Sequence, residues 1–318
     1  MGAVTVGVDL GGTKIQAVVV ADEVVVGQAR HPTPTTDAAD VMTEIVAVVH
    51  EALTAANAAP TDLRAIGVGT PGTIDVASGH VSHSSNVPGF LEDVALGPTV
   101  SGAFAGVPVT VDNDVRVATM GEFHRGAGRP FRNLLGVFVG TGVGGGLVLE
   151  GALRQGRGSA GEIGHTVVHR GGRRCPCGRR GCLEAYAGRL AIEHQARREV
   201  AKGHHTTLFS IMEKKGRDRV TSSVVADALE RGDRLTVELV HQAVEALGVA
   251  LANAQNLLDL EAIILGGGLG DRLGPSFLAR VGASMTTRLR TPERPPMLLG
   301  TELRDLSGAV GAAVVAGG

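Results

Sequence analysis

Two stretches of this 318-residue chain follow one pattern. Val4 to Leu10 and Ile15 to Val20 are apolar, β-branched runs without helical period, and Gly11-Gly12-Thr13-Lys14 separates them. Leu134 to Val139 and Leu147 to Glu150 repeat the arrangement around Gly140-Thr141-Gly142-Val143-Gly144-Gly145-Gly146. A strand, a glycine turn and a second strand form a hairpin whose tip presents backbone N–H groups, and such a tip can hold phosphate oxygens. One such turn could be a plain hairpin. Two of them, each between apolar strands, point to related halves with a pair of phosphate loops. The first is not a Walker loop, because G-x-x-x-x-G-K-[ST] is absent. The first is not a dinucleotide fingerprint, because a strand rather than a helix follows it.

The rest of the chain reads as alternating helices and strands. A helix capped by Thr36 or Asp37 runs to about Asn57, with Met42, Ile45, Val46, Val49 and Leu53 at helical spacing. A strand over Arg64 to Gly69 leads into the turn Thr70-Pro71-Gly72-Thr73-Ile74-Asp75. Ser84 to Phe90 is a further loop. A strand from Val107 to Val111 meets Asp112-Asn113-Asp114, and a helix follows from about Val115 to Gly126. Polar residues between a strand end and a helix are where α/β proteins place ligand groups, although Asn113 or Asp114 could equally be a simple helix cap. Leu183 to about Ala201 is read as one helix, and Lys202 to Asp218 as a polar, mobile excursion. A short helix capped by Ser222 or Ser223 and a long one over Leu235 to Leu258 come next. Leu260 to Leu265 is a strand ending in Gly266-Gly267-Gly268-Leu269-Gly270, where the backbone can approach a flat ligand. A helix from about Leu273 to Leu289, a strand over Met297 to Thr301 and a small-residue helix over Leu306 to Ala316 complete the chain.

All three cysteines fall in one glycine-rich loop, as Cys175, Cys177 and Cys182 in the spacing C-x-C-x4-C. His165 and His169 lie just upstream. An odd count argues against a disulfide framework. The loop has almost no apolar residues to bury three unrelated thiols, so the cluster reads as a closed, tetrahedral zinc site. Arg173, Arg174, Arg179 and Arg180 favour thiolate over thiol there.

With 43% hydrophobic and 19% charged residues, the chain can bury full cores in two ordinary domains. A net charge of −2 leaves no electrostatic footprint for nucleic acid or an anionic membrane. Asp9 stands where a signal peptide would be apolar, and no run of about 18 apolar residues is seen to span a bilayer. Free cysteines with metal spacing fit a reducing cytoplasm.

Gly161-Glu162-Ile163-Gly164-His165 followed by C-x-C-G-x-x-G-C-x-E resembles the signature of the ROK family of sugar kinases and repressors. The Asp9-x-Gly11-Gly12-Thr13 segment is likewise similar to the first phosphate loop of the superfamily that holds sugar kinases and actin. The likeness runs from Asp9 to the final helix. It implies two actin-like (ribonuclease H-like) α/β domains with a cleft between them. The expected boundaries are 1–112 plus 301–318 for a small domain and 113–300 for a large one carrying the zinc loop.

The resemblance implies phosphorylation of glucose by ATP at the 6-hydroxyl. Asp114 matches the catalytic base, and Gly72, Asn86, Asn113, Glu162, His165 and Glu184 match the sugar site. Gly11, Gly12, Thr13, Lys14, Thr141 and Gly142 would hold phosphates, with Asp9 on Mg2+, and Gly267 and Gly268 beside adenosine. His165 and His169 compete for the fourth place on zinc; the family segment and a double duty toward sugar favour His165 over His169. The expected set is therefore His165, Cys175, Cys177 and Cys182. Kinases for fructose, mannose or N-acetylmannosamine, and polyphosphate as donor, stay open. Regulators of the family carry a helix-turn-helix ahead of the first phosphate loop, for which Asp9 leaves no room. A homodimer or homotetramer is expected.

Overall fold

A computed structural model describes residues 2–317. The chain forms two compact units, one of 1–130, 155–158 and 305–318, the other of 131–154 and 159–304.

The first unit is built on β1 (Val4–Leu10), β2 (Lys14–Ala21), β3 (Val24–Pro32), β4 (Leu63–Thr70) and β7 (Val109–Asn113), in sheet order β3-β2-β1-β4-β7. β1, β2 and β3 pair antiparallel, whereas β1, β4 and β7 run parallel. β5 (Thr73–Asp75) and β6 (His80–Ser82) form a separate small hairpin. The helices are α1 (Ala38–Ala55), α2 (Leu96–Ala103), α3 (Asp114–Arg125) and, from the chain's end, α10 (Ser307–Gly317). Asp37 caps α1 by accepting from Asp40 N at 3.0 Å. Val6, Val8, Ile15, Ile45, Leu53, Ile66 and Phe90 are among the fully buried residues of its core.

The second unit repeats the plan. Its sheet holds β8 (Leu134–Val139), β9 (Val143–Leu149), β10 (Ala152–Leu153), β11 (Ala262–Gly266) and β12 (Met297–Gly300), in order β10-β9-β8-β11-β12. β8 and β9 pair antiparallel, and β8, β11 and β12 run parallel. Six helices follow β10 in sequence: α4 (Glu184–Ala187), α5 (Arg189–Ala201), α6 (Leu208–Lys214), α7 (Ser222–Glu230), α8 (Arg234–Leu258) and α9 (Gly267–Thr286). The same strand order in both units is the architecture that the repeated strand–turn–strand pattern implies.

Several expectations are corrected. Helix α3 belongs to the first unit, past the expected boundary at 112, because it packs along α10, and the chain returns to that unit at Asp305 rather than 301. Gly144, Gly145 and Gly146 are not turn residues. They pair with Phe138, Val137 and Gly136 in the ladder of β9, whose hydrogen bonds outweigh the weak strand preference of glycine. The expected helix over 183–201 breaks into α4 and α5 at Gly188, whose ψ of 139° is extended. Residues 202–218 hold α6, whose Leu208, Ile211 and Met212 are buried in the core. Thr221, not Ser222 or Ser223, caps α7. The glycines after β11 open α9 directly, and the helix kinks at Gly274. Helix α8 is long and apolar enough to cross a membrane by length and composition, but 67% of its apolar window is buried inside the protein, as a core helix requires.

Candidate active site and metal centre

In the first unit the turn between β1 and β2 is held from behind by Thr33. Its hydroxyl donates to Gly11 O at 2.6 Å, and its N–H donates to Thr13 O at 3.3 Å. Nothing in the sequence marked Thr33, which is brought there by the pairing of β2 with β3. Asn86 lies directly on the turn: a Cβ at Gly12 would stand 2.3 Å from Asn86 O, so only glycine fits. The neighbouring Ser84 hydroxyl is buried without a hydrogen-bond partner. Asp9 faces the start of α10, where a Cβ on Gly308 would come within 2.9 Å of its carboxyl carbon. Burial raises the Asp9 carboxyl above its ordinary range, and Lys14 pulls the other way. Lys14 itself donates to Asp305 Oδ1 at 2.5 Å and to Gln16 Oε1 at 2.9 Å. Gly72 takes a φ of +122° beside Ser82 and Ser84.

Asn113 and Asp114 stand at the junction of β7 and α3. The Asn113 side chain accepts from Val115 N at 3.1 Å and Arg116 N at 3.2 Å, so it is the cap of α3. Capping occupies its Oδ1 and leaves its amide nitrogen as the donor of the group. Asp114 Oδ1 accepts from Val115 N at 2.9 Å. Behind them Asp112 and Arg116 form a buried ion pair at 2.5 Å, with side chains 1% and 6% exposed. Arg116 also donates to Gly158 O at 3.2 Å. The i, i+4 spacing of Asp112 and Arg116 was visible in the sequence, but spacing alone does not reveal that both ends are buried.

In the second unit, the turn Gly140-Thr141-Gly142 is held by α5 and by Glu184. Arg189 N donates to Gly140 O at 3.0 Å, and Leu190 N to Thr141 O at 3.2 Å. The Arg189 guanidinium donates to Thr141 Oγ1 at 2.8 Å. Glu184 Oε2 accepts from Val143 N at 3.0 Å, and a Cβ at Gly142 would meet that oxygen at 2.3 Å. Sequence reading assigned Glu184 to sugar alone and missed Arg189. Gly267, with φ +84°, begins α9 against the backbone of Val139. A Cβ at Gly268 would find no neighbour nearer than the Ser222 hydroxyl, at 3.6 Å.

His165, Cys175, Cys177 and Cys182 place one ligand atom each within 4.8 Å of all the others. Cys177 Sγ and Cys182 Sγ are 3.7 Å apart, and Cys175 Sγ is 3.8 Å from His165 Nδ1. A tetrahedron on bonds of about 2.3 Å has edges of about 3.8 Å, so this group could hold a metal ion. Gly178 and Gly181, with φ of 86° and 83°, make the turns that bring the sulfurs round. His169 is outside the cluster, its ring 6.2 Å from that of Tyr186. The His165 Nε2 atom instead faces Glu162, at 4.0 Å. Burial pushes the Cys175 thiol up to about 12. Burial acts in the same sense on Cys177, but hydrogen bonds from Arg179 and the two thiols overcome it and bring Cys177 down to about 6. The loop is anchored by Arg173, which lies 4.7 Å over the Tyr186 ring, donates its N–H to the Tyr186 hydroxyl at 3.1 Å, and hydrogen-bonds Gln242 of α8.

The model of the ROK family matches residues 5–318. The chain belongs to the ROK family. A glucokinase of Halalkalibacterium halodurans is 36% identical over 84% of this chain and 82% of its own length. An N-acetylmannosamine kinase of Salmonella typhi is 29% identical over 99% of this chain and 98% of its own. A ROK family glucokinase from Streptomyces griseus, solved in complex with glucose and AMPPNP, superposes with a TM-score of 0.82, 31% identity and 99% coverage of both chains. As in its ROK neighbours, this chain's fold is the actin-like two-domain one.

Proposed function

We propose that this ROK protein is a glucokinase, transferring the ATP γ-phosphoryl group to the 6-hydroxyl of glucose. The reading is carried by likeness along the full chain to a glucokinase whose structure holds glucose and AMPPNP. Phosphoryl transfer asks a protein chiefly for positioning and charge neutralisation. Gly11, Gly12 and Thr13 supply one phosphate turn, and Thr141 and Gly142 the other. Lys14 joins the first turn by exchanging Asp305 for phosphate. Gly267 and Gly268, at the start of α9, adjoin adenosine. Mg2+ carried with ATP neutralises phosphate charge, and the half-buried Asp9 carboxylate would hold it through water.

Asp114 takes the proton of the attacking hydroxyl, a role worth about 10²–10⁴ in rate. Its Oδ1 accepts from Val115 N, which holds the carboxylate at the start of α3. Asn113 donates to a sugar hydroxyl with the amide nitrogen that capping leaves over. Gly72 and Asn86 contribute the loops beside the sugar. Glu162, His165 and Glu184 serve the remaining hydroxyls. The metal held by His165, Cys175, Cys177 and Cys182 is zinc, since three thiolates and one imidazole suit that ion and leave no open position. With Nδ1 on the metal side, Nε2 of His165 turns toward Glu162 and the sugar. We read a reducing cytoplasm as its compartment, a reading that three cysteines without a disulfide support. The family resemblance implies a homodimer or homotetramer, which sedimentation reads directly.

N-acetylmannosamine kinases at 29% identity make hexose choice the point to test. A coupled assay over glucose, fructose, mannose and N-acetylmannosamine, with ATP and with polyphosphate, should show the highest kcat/KM for glucose with ATP. A higher value for another pair would replace the substrate named here.

A further inference from the structure

Three bonds tie the turn Gly140-Thr141-Gly142 to α5. Two are backbone bonds, from Arg189 N to Gly140 O and from Leu190 N to Thr141 O. These already fix the path of the turn. The third runs from the Arg189 guanidinium to the Thr141 hydroxyl, at 2.8 Å, and adds nothing to the backbone path. The other arm of the guanidinium donates to Val220 O at 2.5 Å. Val220 is fully buried, and its own N–H donates to Glu193 Oε2 at 3.0 Å. The guanidinium is therefore set in place before it reaches Thr141.

A guanidinium has no lone pair to offer, so the Thr141 oxygen must act as acceptor in this bond. Its single O–H proton then points away from Arg189 and needs another acceptor. The flanking amides are already committed: Gly140 N donates to Gly142 O at 2.9 Å and Val143 N to Glu184 at 3.0 Å. Thr141 and Gly142 supply the two other N–H groups of the turn. A turn with an oriented hydroxyl proton and a cation at its back suits an anionic oxygen.

We infer that Arg189 is a positioning residue for the phosphoryl donor, holding the Thr141 hydroxyl as an acceptor so that its proton is presented to a phosphate oxygen. This rests on the kinase reading above.

The test is a double-mutant cycle on the full enzyme with Arg189→Met and Thr141→Val, reading KM for ATP, KM for glucose, kcat and the melting temperature. Each single variant should raise KM for ATP about tenfold, the size of one hydrogen bond to a charged partner. KM for glucose should stay within about twofold, and the double variant should be no worse than either single one. Where Arg189→Met does not fold, Arg189→Lys takes its place in the cycle, with a smaller rise and the same non-additivity. Additive losses, or an Arg189 variant with unchanged KM for ATP, overturn the inference while normal wild-type turnover leaves the kinase reading standing. A wild-type protein that phosphorylates no sugar with ATP overturns both.

Discussion

Glu184 joins two parts of the second unit that are far apart in sequence. One carboxylate oxygen accepts from Val143 N at 3.0 Å, and the other lies 3.8 Å from Cys175 Sγ. A side chain expected only to meet sugar thus also closes the turn after Gly142 and adjoins the thiol cluster.

That double contact separates two substitutions. Glu184→Gln keeps an acceptor for Val143 N, whereas Glu184→Ala leaves that N–H, in a residue only 5% exposed, without a partner. Glu184→Ala should lose about 1–3 kcal/mol of stability, the cost of an orphaned buried donor, and Glu184→Gln clearly less. Both should weaken glucose binding while keeping zinc. Denaturant unfolding, calorimetric titration of glucose and elemental analysis read the three quantities. Equal stability of the two variants would remove the Val143 bond from the account, and zinc loss in Glu184→Gln would make Glu184 a metal-site residue.

Asp114→Asn keeps shape and the bond from Val115 N but cannot take a proton. Turnover should fall at least about a hundredfold, with glucose affinity within a few fold. More than about a tenth of wild-type kcat in this variant would rule Asp114 out as the base.

Elemental analysis should find one zinc per chain. Cys177→Ala should lose zinc and activity together, because Glu162, His165 and Glu184 all hang on the loop that the metal closes. A His169 substitution should spare both, as its ring stands outside the cluster. A zinc-free protein with full activity would overturn this role for the cysteines.

Valine at Gly142 and at Gly267 should differ in kind. At Gly142 the new side chain meets the far end of the Glu184 carboxylate, which can move, so the first loss should be in KM for ATP. At Gly267 a φ of +84° and the backbone N of Val139 at 2.7 Å from the new Cβ allow no such adjustment. Gly267→Val should therefore lower the melting temperature before any nucleotide effect can be seen. Equal melting temperatures for the two variants would contradict this.

The pH dependence of stability carries a mark of His31. Its ring nitrogens lie 2.5 Å from Glu44 and 2.9 Å from Glu51, and these carboxylates raise its pKa above the ordinary 6.5. A raised folded-state pKa means the charged ring stabilises the native state fully below about pH 6.5, and this is lost as pH rises through the folded value. His31→Gln should flatten the stability curve over that window. An unchanged slope would show that the pair contributes nothing in solution, as many exposed pairs do.

The two strand–turn–strand repeats, caps at Thr36 or Asp37 and at Asn113 or Asp114, and the C-x-C-x4-C loop were legible in the sequence. Each is a local choice: strand period, turn chemistry, cap and ligand spacing all act within a few residues. They were enough to place the paired strands of both sheets, whereas the candidate sugar residues came from the family resemblance. Only the tertiary structure decided that Gly144 to Gly146 lie in a strand, since ladder partners on β8 override a poor propensity. The helix α6, mostly polar around its three buried residues, exists because Leu208, Ile211 and Met212 find a core to enter. The tertiary structure also brings His165, and not His169, to the three thiols. The supports of the site were least legible of all. Thr33 behind Gly11 and Arg189 behind Thr141 act across a fold contact, and Arg116 behind Asp112 is a local i, i+4 pair whose burial the sequence does not report. Only in the last two pairs is there a charge, and burial is what gives Asp112 and Arg116 their hold on the loop.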